Sequence, residues 1–151
     1  PVEHHDAVVI RYANGSIGFI VPLATRAGVD AAIVDGAKLD AVLTAAGTQR
    51  RSVYVFSTER GPDDVTAYSR LLGTGPIEDP ATGSAAGPAG CFAARYGLVA
   101  ADRVGSMVFL QGVKVGRPSR LYVRVTTSGS DVTGVKVGGS SIVVGEGAMT
   151  P

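Results

Sequence analysis

The sequence of residues 76–97 is PIEDPATGSAAGPAGCFAARYG, and this stretch decides the fold prediction. From Ser84 to Tyr96 it predicts a helix made mostly of small and apolar residues, with no charged residue before Arg95. A helix that is apolar on all sides is buried in the protein interior. Because most of the remaining chain is typical of strands, the stretch predicts a sheet that curls around a central helix.

The start of this helix carries the candidate chemistry. Two acids, Glu78 and Asp79, precede it, and Thr82 or Ser84 is predicted to cap it by accepting from the backbone N–H groups of the first turn. Gly83 lets a ligand approach these amides, where the helix dipole favours an anion. The stretch therefore predicts a pocket for a carboxylate or enolate, with Asp79 at its mouth as proton donor or acceptor.

The residues alone leave a second interpretation of Asp79 open. An acid before a helix is most often only a capping group and a partner of the helix dipole. The glycines also suggest a phosphate-binding loop, but neither G-x-x-x-x-G-K-[ST] nor G-x-G-x-x-G between a strand and a helix occurs. A nucleotide loop is therefore rejected, whereas capping and catalysis both remain possible interpretations at this point.

The rest of the chain predicts many strands and one outer helix. Asn14-Gly15 predicts a hairpin turn, and a helix is predicted over 36–47, with Leu39, Val42 and Leu43 on one face and Gly47 at its end. Without regular βαβ alternation, this order predicts an α+β fold in a single domain over 1–151. Strands are predicted near 7–12, 17–21, 52–57, 67–72, 107–111, 120–126, 132–137 and 140–144.

Composition excludes several classes of function. The chain has 14 Lys and Arg against 13 Asp and Glu, so electrostatic binding of nucleic acid is not expected. No apolar run reaches the roughly 18–20 residues needed to span a bilayer, and residues 1–5 are no signal peptide. A small molecule or another protein is the expected partner, with no nucleic acid and no membrane.

Cysteine and histidine give no sign of a metal site. The single cysteine, Cys91, rules out an internal disulfide, favours a cytoplasmic location and is interpreted as a small core residue. His4 and His5 are interpreted as a solvated chain end, because two adjacent histidines do not easily close one coordination sphere. No metal site is therefore predicted.

Three ordered motifs point to a family. EDPATGSA, at Glu78 to Ala85, resembles the signature of the phenazine-biosynthesis PhzF-like proteins, which are relatives of diaminopimelate epimerase. Gln111-Gly112, residues 116–119 and residues 137–140 are similar to later motifs of that family, in the same order. Residues 14–23 resemble the opening of the family's second domain.

The resemblance implies a cofactor-independent isomerase or epimerase with two lobes, each a barrel-like sheet wrapped around a central helix, and a substrate between them. It implies that Asp79 assists proton transfer on a small carboxylate substrate. It further implies that Gly83 and Ser84 hold the substrate carboxylate and that Thr82 shapes the turn. In the phenazine enzyme the principal acid–base glutamate belongs to the first lobe. Residues 1–151 are therefore expected to be the second lobe alone, and so half of an active site.

Three origins of the other half stay open. The chain is cut from a longer protein, or the first lobe is a separate chain, or two copies pair so that two Asp79 groups face one cleft. In each case association is expected, because a lone lobe leaves apolar surface uncovered. The predicted function is an isomerase of secondary-metabolite biosynthesis. The alternative is a non-catalytic binding or scaffold subunit that completes a partner lobe.

Overall fold

A computed structural model describes residues 8–11, 17–45, 47, 52–73 and 77–148. The strands are β1 (Val8–Arg11), β2 (Ile17–Pro22), β3 (Val53–Ser57), β4 (Ala67–Leu72), β5 (Met107–Gln111), β6 (Ser119–Ser128) and β7 (Asp131–Gly138). The helices are α1 (Arg26–Ala31), α2 (Gly36–Ala45) and α3 (Gly83–Arg95), with short 3₁₀ turns at Ala101–Arg103 and Val113–Val115.

The strands form one mixed sheet in chain order, β1 to β7. The β2–β3 and β4–β5 pairs are parallel, and the other neighbours are antiparallel. A parallel pair needs a crossover connection, which α1 and α2 provide for the first pair and α3 for the second. Alternate residues of β3 divide between two cores: Tyr54 and Phe56 pack with α3, and Val55 packs with Val29 of α1. The crossovers therefore cover opposite faces of the sheet.

Helix α3 lies in the concave face of the sheet. Strands β2 to β6 all contribute side chains to the core cluster that contains its alanines, and β7 also contacts it. Six neighbouring strands lie across about 24 Å, whereas a helix is only about 10–12 Å wide with its side chains. A flat sheet could not bring all of them to one helix, so the sheet curls around α3 as predicted.

The small residues of α3 permit this close packing. A Cβ on Gly90 would lie 2.6 Å from Val123 Cγ1, and one on Gly87 would lie 3.0 Å from Val137 Cγ2. Seven residues of the helix are buried. A stripe at helical spacing, from Ser84 through Pro88 and Cys91 to Arg95, is exposed or half-buried instead. The predicted burial on all sides is therefore interrupted along one stripe.

Most predicted elements are present, with two corrections. Residues 140–144 are not a strand; residues 139–148 have no regular structure, and Ile142, Val143 and Val144 are 86%, 80% and 97% exposed. The prediction was wrong because β-propensity expresses pairing and packing, and no described strand pairs with this segment. Helix α1 was missed because it is only six residues long.

The remaining boundaries agree with the expectations. Strands β1 and β2 are antiparallel, while the Asn14-Gly15 turn between them lies outside the described residues. Helix α2 ends near Gly47, which has a φ of 66° and donates its N–H to the Thr44 carbonyl at 3.1 Å. Within the described ranges, no helix is long and apolar enough to cross a membrane.

Candidate active site

The loop from Asp79 to Thr82 leads directly into α3. Within this loop, the Asp79 carboxylate accepts hydrogen bonds from the residues that follow it. The Thr82 hydroxyl donates to Asp79 Oδ2 at 2.7 Å, and the Ala81 N–H donates to Asp79 Oδ1 at 3.2 Å. An Asp that accepts from the backbone two residues further on stabilises a tight turn. The half-buried Asp79 carboxylate is thereby held in one orientation beside the helix start.

Side-chain capping by Thr82 or Ser84 was a wrong prediction. Thr82 is the N-cap residue through its carbonyl alone, which accepts from the N–H groups of Ala85 and Ala86 at 3.1 and 3.0 Å. Its hydroxyl makes no cap bond because it donates to Asp79, and Ser84 lies inside the first turn. Among the described residues, the N–H groups of Gly83 and Ser84 have no acceptor. They are therefore free for an anionic ligand.

The loop is tied to the sheet by Gln111, the last residue of β5. Gln111 is fully buried, and its Nε2 donates to the Asp79 carbonyl at 2.7 Å and to Thr82 Oγ1 at 2.9 Å. Its Oε1 accepts from the Thr82 N–H at 3.1 Å. One side-chain amide thus satisfies polar groups at both ends of the loop, as a buried amide requires.

Gly112 lets the loop lie close to β5. Its φ is 82°, in the left-handed region that favours glycine, and an added Cβ would lie 2.3 Å from the Arg117 carbonyl and 2.7 Å from the Pro80 carbonyl. A larger residue would push the Asp79–Thr82 loop away from Gln111. Gln111 and Gly112 therefore act together: Gln111 binds the loop, and Gly112 leaves the space that the loop needs.

Glu78 has a different environment from its neighbour Asp79. It pairs with Arg70 of β4 at 2.9 Å, and both side chains are only 12% exposed. The same guanidinium donates to the carbonyls of Val29, Asp30 and Ala32, at the end of α1. Glu78 is therefore held by a structural ion pair, which leaves Asp79 as the carboxylate at the start of α3.

A second polar network lies on the α1 face. Arg26 donates to both carboxylate oxygens of Asp63 at 2.7 Å, and this hydrogen-bonded pair holds the pKa of Asp63 below its usual range. The Tyr68 hydroxyl donates to Asp30 at 2.7 Å, and burial raises the pKa of Tyr68. These groups brace α1 against β4 and the turn that contains Asp63, on the sheet face opposite α3.

The family follows from a comparison of the whole chain. The model of the family described as "Phenazine biosynthesis-like protein", PhzC-PhzF, matches residues 3–147. The chain belongs to this family.

Curated relatives of this PhzF-type chain are described as isomerases. This chain is 42% identical over 73 residues to the trans-2,3-dihydro-3-hydroxyanthranilate isomerase of Pseudomonas aeruginosa, and the match covers 48% of this chain and 26% of that protein. It is 32% identical over 100 residues to an uncharacterized isomerase of Mesorhizobium japonicum, covering 65% of this chain and 33% of that protein. The matched region of this chain thus spans no more than about a third of these relatives.

Solved structures of the family have the same fold. The PhzF-family phenazine biosynthesis protein of Bacillus anthracis superposes with a TM-score of 0.64 at 23% identity, covering 83% of this chain and 43% of that one. A P. aeruginosa protein described as a predicted epimerase gives a TM-score of 0.61 at 29% identity, covering 95% and 47%. The predicted α+β, diaminopimelate epimerase-like lobe is therefore confirmed.

The structure brings the predicted site residues together. Asp79, Thr82, Gly83 and Ser84 all lie within the one loop–helix junction. Gln111 belongs to one of the sequence motifs, but the sequence alone does not predict its role; the signal that could identify it is a polar residue at the end of the apolar run MVFLQ.

The other chemically active residues add no second site. Cys91 is half-buried, and burial raises the pKa of its thiol, which disfavours the reactive thiolate. His4 and His5 lie outside the described residues. Within the described part of the chain, no three His, Cys, Asp or Glu side chains are grouped to hold a metal ion.

A surface cleft lies at the other end of α3. It has a volume of about 620 Å³, and Arg95, Val104, Ser130 and Val132 are among the residues that line it. Because α3 is 13 residues long, this cleft is about 20 Å along the helix from the Asp79 loop. The cleft and the candidate site are therefore separate.

Proposed function

We propose that this chain supplies the Asp79 half of a PhzF-type isomerase site, which moves a proton within a small unsaturated carboxylate. The observation that carries the proposal is the junction before α3. Asp79 is held there in one orientation, next to the N–H groups of Gly83 and Ser84, which have no acceptor among the described residues. The substrate carboxylate is proposed to bind at those amides, with its neighbouring carbons near Asp79.

The chemistry proposed needs no redox step. A base removes a proton from one carbon, the double bond shifts, and a proton is added to another carbon, so that the formula of the substrate is unchanged. Electrostatic binding of the substrate carboxylate at a helix start favours the enolate-like charge that develops as the proton leaves. Asp79 is proposed to act as one of the two proton-transfer groups.

The other proton-transfer group is proposed to come from a partner lobe. Glu78 is the nearest acid in sequence, but Arg70 holds it in a buried pair, so it is not available to a substrate. A first lobe, on the same polypeptide or a separate one, or a second copy of this chain would bring the missing acid. The chain is also proposed to be equivalent to the family's second lobe and to be cytoplasmic.

The names of the relatives support a proposal for the substrate class. Three curated relatives, from three Pseudomonas species, are named for trans-2,3-dihydro-3-hydroxyanthranilate, a small ring that carries a carboxylate and can undergo a double-bond shift. We propose that this chain acts on a substrate of the same chemical class. This makes the named compound the appropriate first probe.

The test compares two Asp-to-Asn variants in the assembled protein purified from its host. Turnover of trans-2,3-dihydro-3-hydroxyanthranilate is followed by proton NMR in D₂O, where a proton returned from solvent appears as deuterium. Asp79→Asn should lose about 100-fold or more in kcat, the usual scale for a general acid–base group. The matched control Asp102→Asn, an exposed residue of the 3₁₀ turn that follows α3, should stay within about twofold of the wild type, as expected of a surface change.

The opposite result has a definite meaning. If Asp79→Asn keeps wild-type turnover, Asp79 is not catalytic and the proposal is wrong. If the wild-type assembly binds the probe but does not convert it, the non-catalytic binding or scaffold function is favoured instead.

A further inference from the structure

We infer that Gln111 is a positioning residue: it fixes the direction of the Thr82 hydroxyl and so holds the Asp79 carboxylate in one orientation. This inference rests on the proposed function of Asp79 and goes beyond it. The residue concerned lies 32 positions further along the chain, on a different element from the loop.

The orientation of the Gln111 amide is determined by its partners. The Asp79 carbonyl can only accept, and it lies 2.7 Å from Nε2. The Thr82 N–H can only donate, and it lies 3.1 Å from Oε1. An amide turned the other way would place two acceptors against each other at one contact and two donors at the other. The NH₂ group therefore faces Asp79 and the Thr82 hydroxyl.

This orientation determines where the Thr82 proton points. Nε2 lies 2.9 Å from Thr82 Oγ1, and because Nε2 is a donor, the hydroxyl oxygen accepts there. The hydroxyl has one proton to donate, and its other partner is Asp79 Oδ2 at 2.7 Å. Oδ2 must then accept, as Oδ1 already does from the Ala81 N–H. Both oxygens of Asp79 are thus hydrogen-bonded as acceptors, which fixes the orientation of the carboxylate.

Burial makes this hydrogen-bond network of Gln111, Thr82 and Asp79 rigid. Gln111 is fully buried, and its strand pairs with β4 on one side and β6 on the other. The start of α3 is held separately, because the Thr82 carbonyl accepts from the N–H groups of Ala85 and Ala86. Loss of the Gln111 amide should therefore disturb Asp79 more than the amides of Gly83 and Ser84.

The first readout is independent of activity. Amide hydrogen exchange at Thr82 is measured in the wild type, in Gln111→Met and in the control Ser69→Ala. Gln111→Met removes all three hydrogen bonds at similar volume, so exchange at Thr82 should be at least about 10-fold faster. Ser69 is also fully buried and hydrogen-bonds to Tyr54 and to the Leu110 carbonyl, but not to the loop. Ser69→Ala should leave exchange at Thr82 unchanged.

The second readout is the kinetics of the assembled enzyme. Gln111→Met and Thr82→Val should each lower kcat roughly 10-fold or more, since loss of orientation slows proton transfer, with little change in KM. The double variant should be no slower than the slower single variant, because both act through one hydroxyl. Thr82→Ser, which keeps the hydroxyl, should restore most of kcat, and Ser69→Ala should keep it.

Each other outcome overturns a specific claim. Unchanged exchange at Thr82 in Gln111→Met, or fully additive losses in the double variant, overturns the inference. If Asp79→Asn abolishes turnover and Gln111→Met does not, the inference falls and the proposed function stands. If Asp79→Asn keeps full turnover, the proposed function falls and the inference falls with it.

Discussion

The loop before α3 and strand β7 lie beside the same helix start, yet they are built in opposite ways. The loop is fixed by buried polar groups, with Gln111 fully buried and the side chains of Arg70 and Glu78 only 12% exposed. Strand β7 presents Val135 and Val137 that are 47% and 40% exposed, although both lie near the glycines of α3. Contacts within the chain thus bury the loop side of the helix start, whereas the β7 side is exposed to solvent.

This difference locates the surface at which we propose that the chain associates with a partner. Buried polar groups that are fully hydrogen-bonded specify one geometry without a partner. The exposed valines of β7, the last strand in the sheet order, and the exposed residues 142–144 form a surface that a partner would cover in the proposed assembly. Variants on the two sides should therefore differ in kind: loop-side changes alter the stability of the chain itself, whereas β7-side changes alter association.

The largest effect on stability is expected at Arg70. Arg70→Met leaves Glu78 buried without its ion-pair partner, which should lower the free energy of unfolding by about 3–5 kcal/mol. The control is Lys38→Met: the side chains of the Lys38–Asp35 pair are 85% and 55% exposed, and such a pair contributes under about 1 kcal/mol. Urea unfolding of the chain measures both. Equal losses of unfolding free energy in the two variants would contradict the claim that the buried Arg70–Glu78 pair stabilises the chain more than a surface pair does.

A smaller, pH-dependent effect is expected at the Arg26–Asp63 pair. The pKa of Asp63 is lowered in the folded state by its hydrogen bonds from Arg26, so this pair stabilises the fold above the unfolded pKa near 3.8. That stability should be lost as the pH falls through the lower, folded-state value. Because the pair is partly exposed, about 1 kcal/mol or less is at stake.

Two variants check the assignment of this acid dependence. Asp63→Asn and Arg26→Met should each make the fall in unfolding free energy below about pH 4 shallower than in the wild type. If both variants keep the wild-type slope, other carboxylates account for the acid sensitivity.

The smallest effect on stability is expected on the open side. Val143→Ser changes a side chain that is 80% exposed, so the free energy of unfolding should change by less than about 0.5 kcal/mol. The same variant should weaken association, which analytical ultracentrifugation would detect as a larger dissociation constant. A clear loss of chain stability, with association unchanged, would show that residues 139–148 pack within this lobe instead.

The sequence predicted the elements that depend on local pattern. The small residues of α3, and the β-prone runs around it, were sufficient for a sheet curled around a central helix. EDPATGSA placed Asp79, Thr82, Gly83 and Ser84 at one junction because they are neighbours in the chain.

Contacts between distant residues were not predictable in the same way. Gln111 reaches a loop about 30 positions earlier in the chain, and no local pattern states that contact. The Thr82 hydroxyl could accept from the helix amides or donate to Asp79; in the structure it accepts from the distant Gln111 and donates to Asp79. Residues 140–144 have the composition of a strand, but no strand among the described residues pairs with them.

The most direct test of the central claim, that this chain holds one half of an isomerase site, is native mass spectrometry of the protein from its own host. The same preparation is assayed with trans-2,3-dihydro-3-hydroxyanthranilate. The account predicts that the active species is heavier than the 151-residue chain, as a longer polypeptide, a complex with another chain or a pair of copies. An active species with the mass of one 151-residue chain would contradict it.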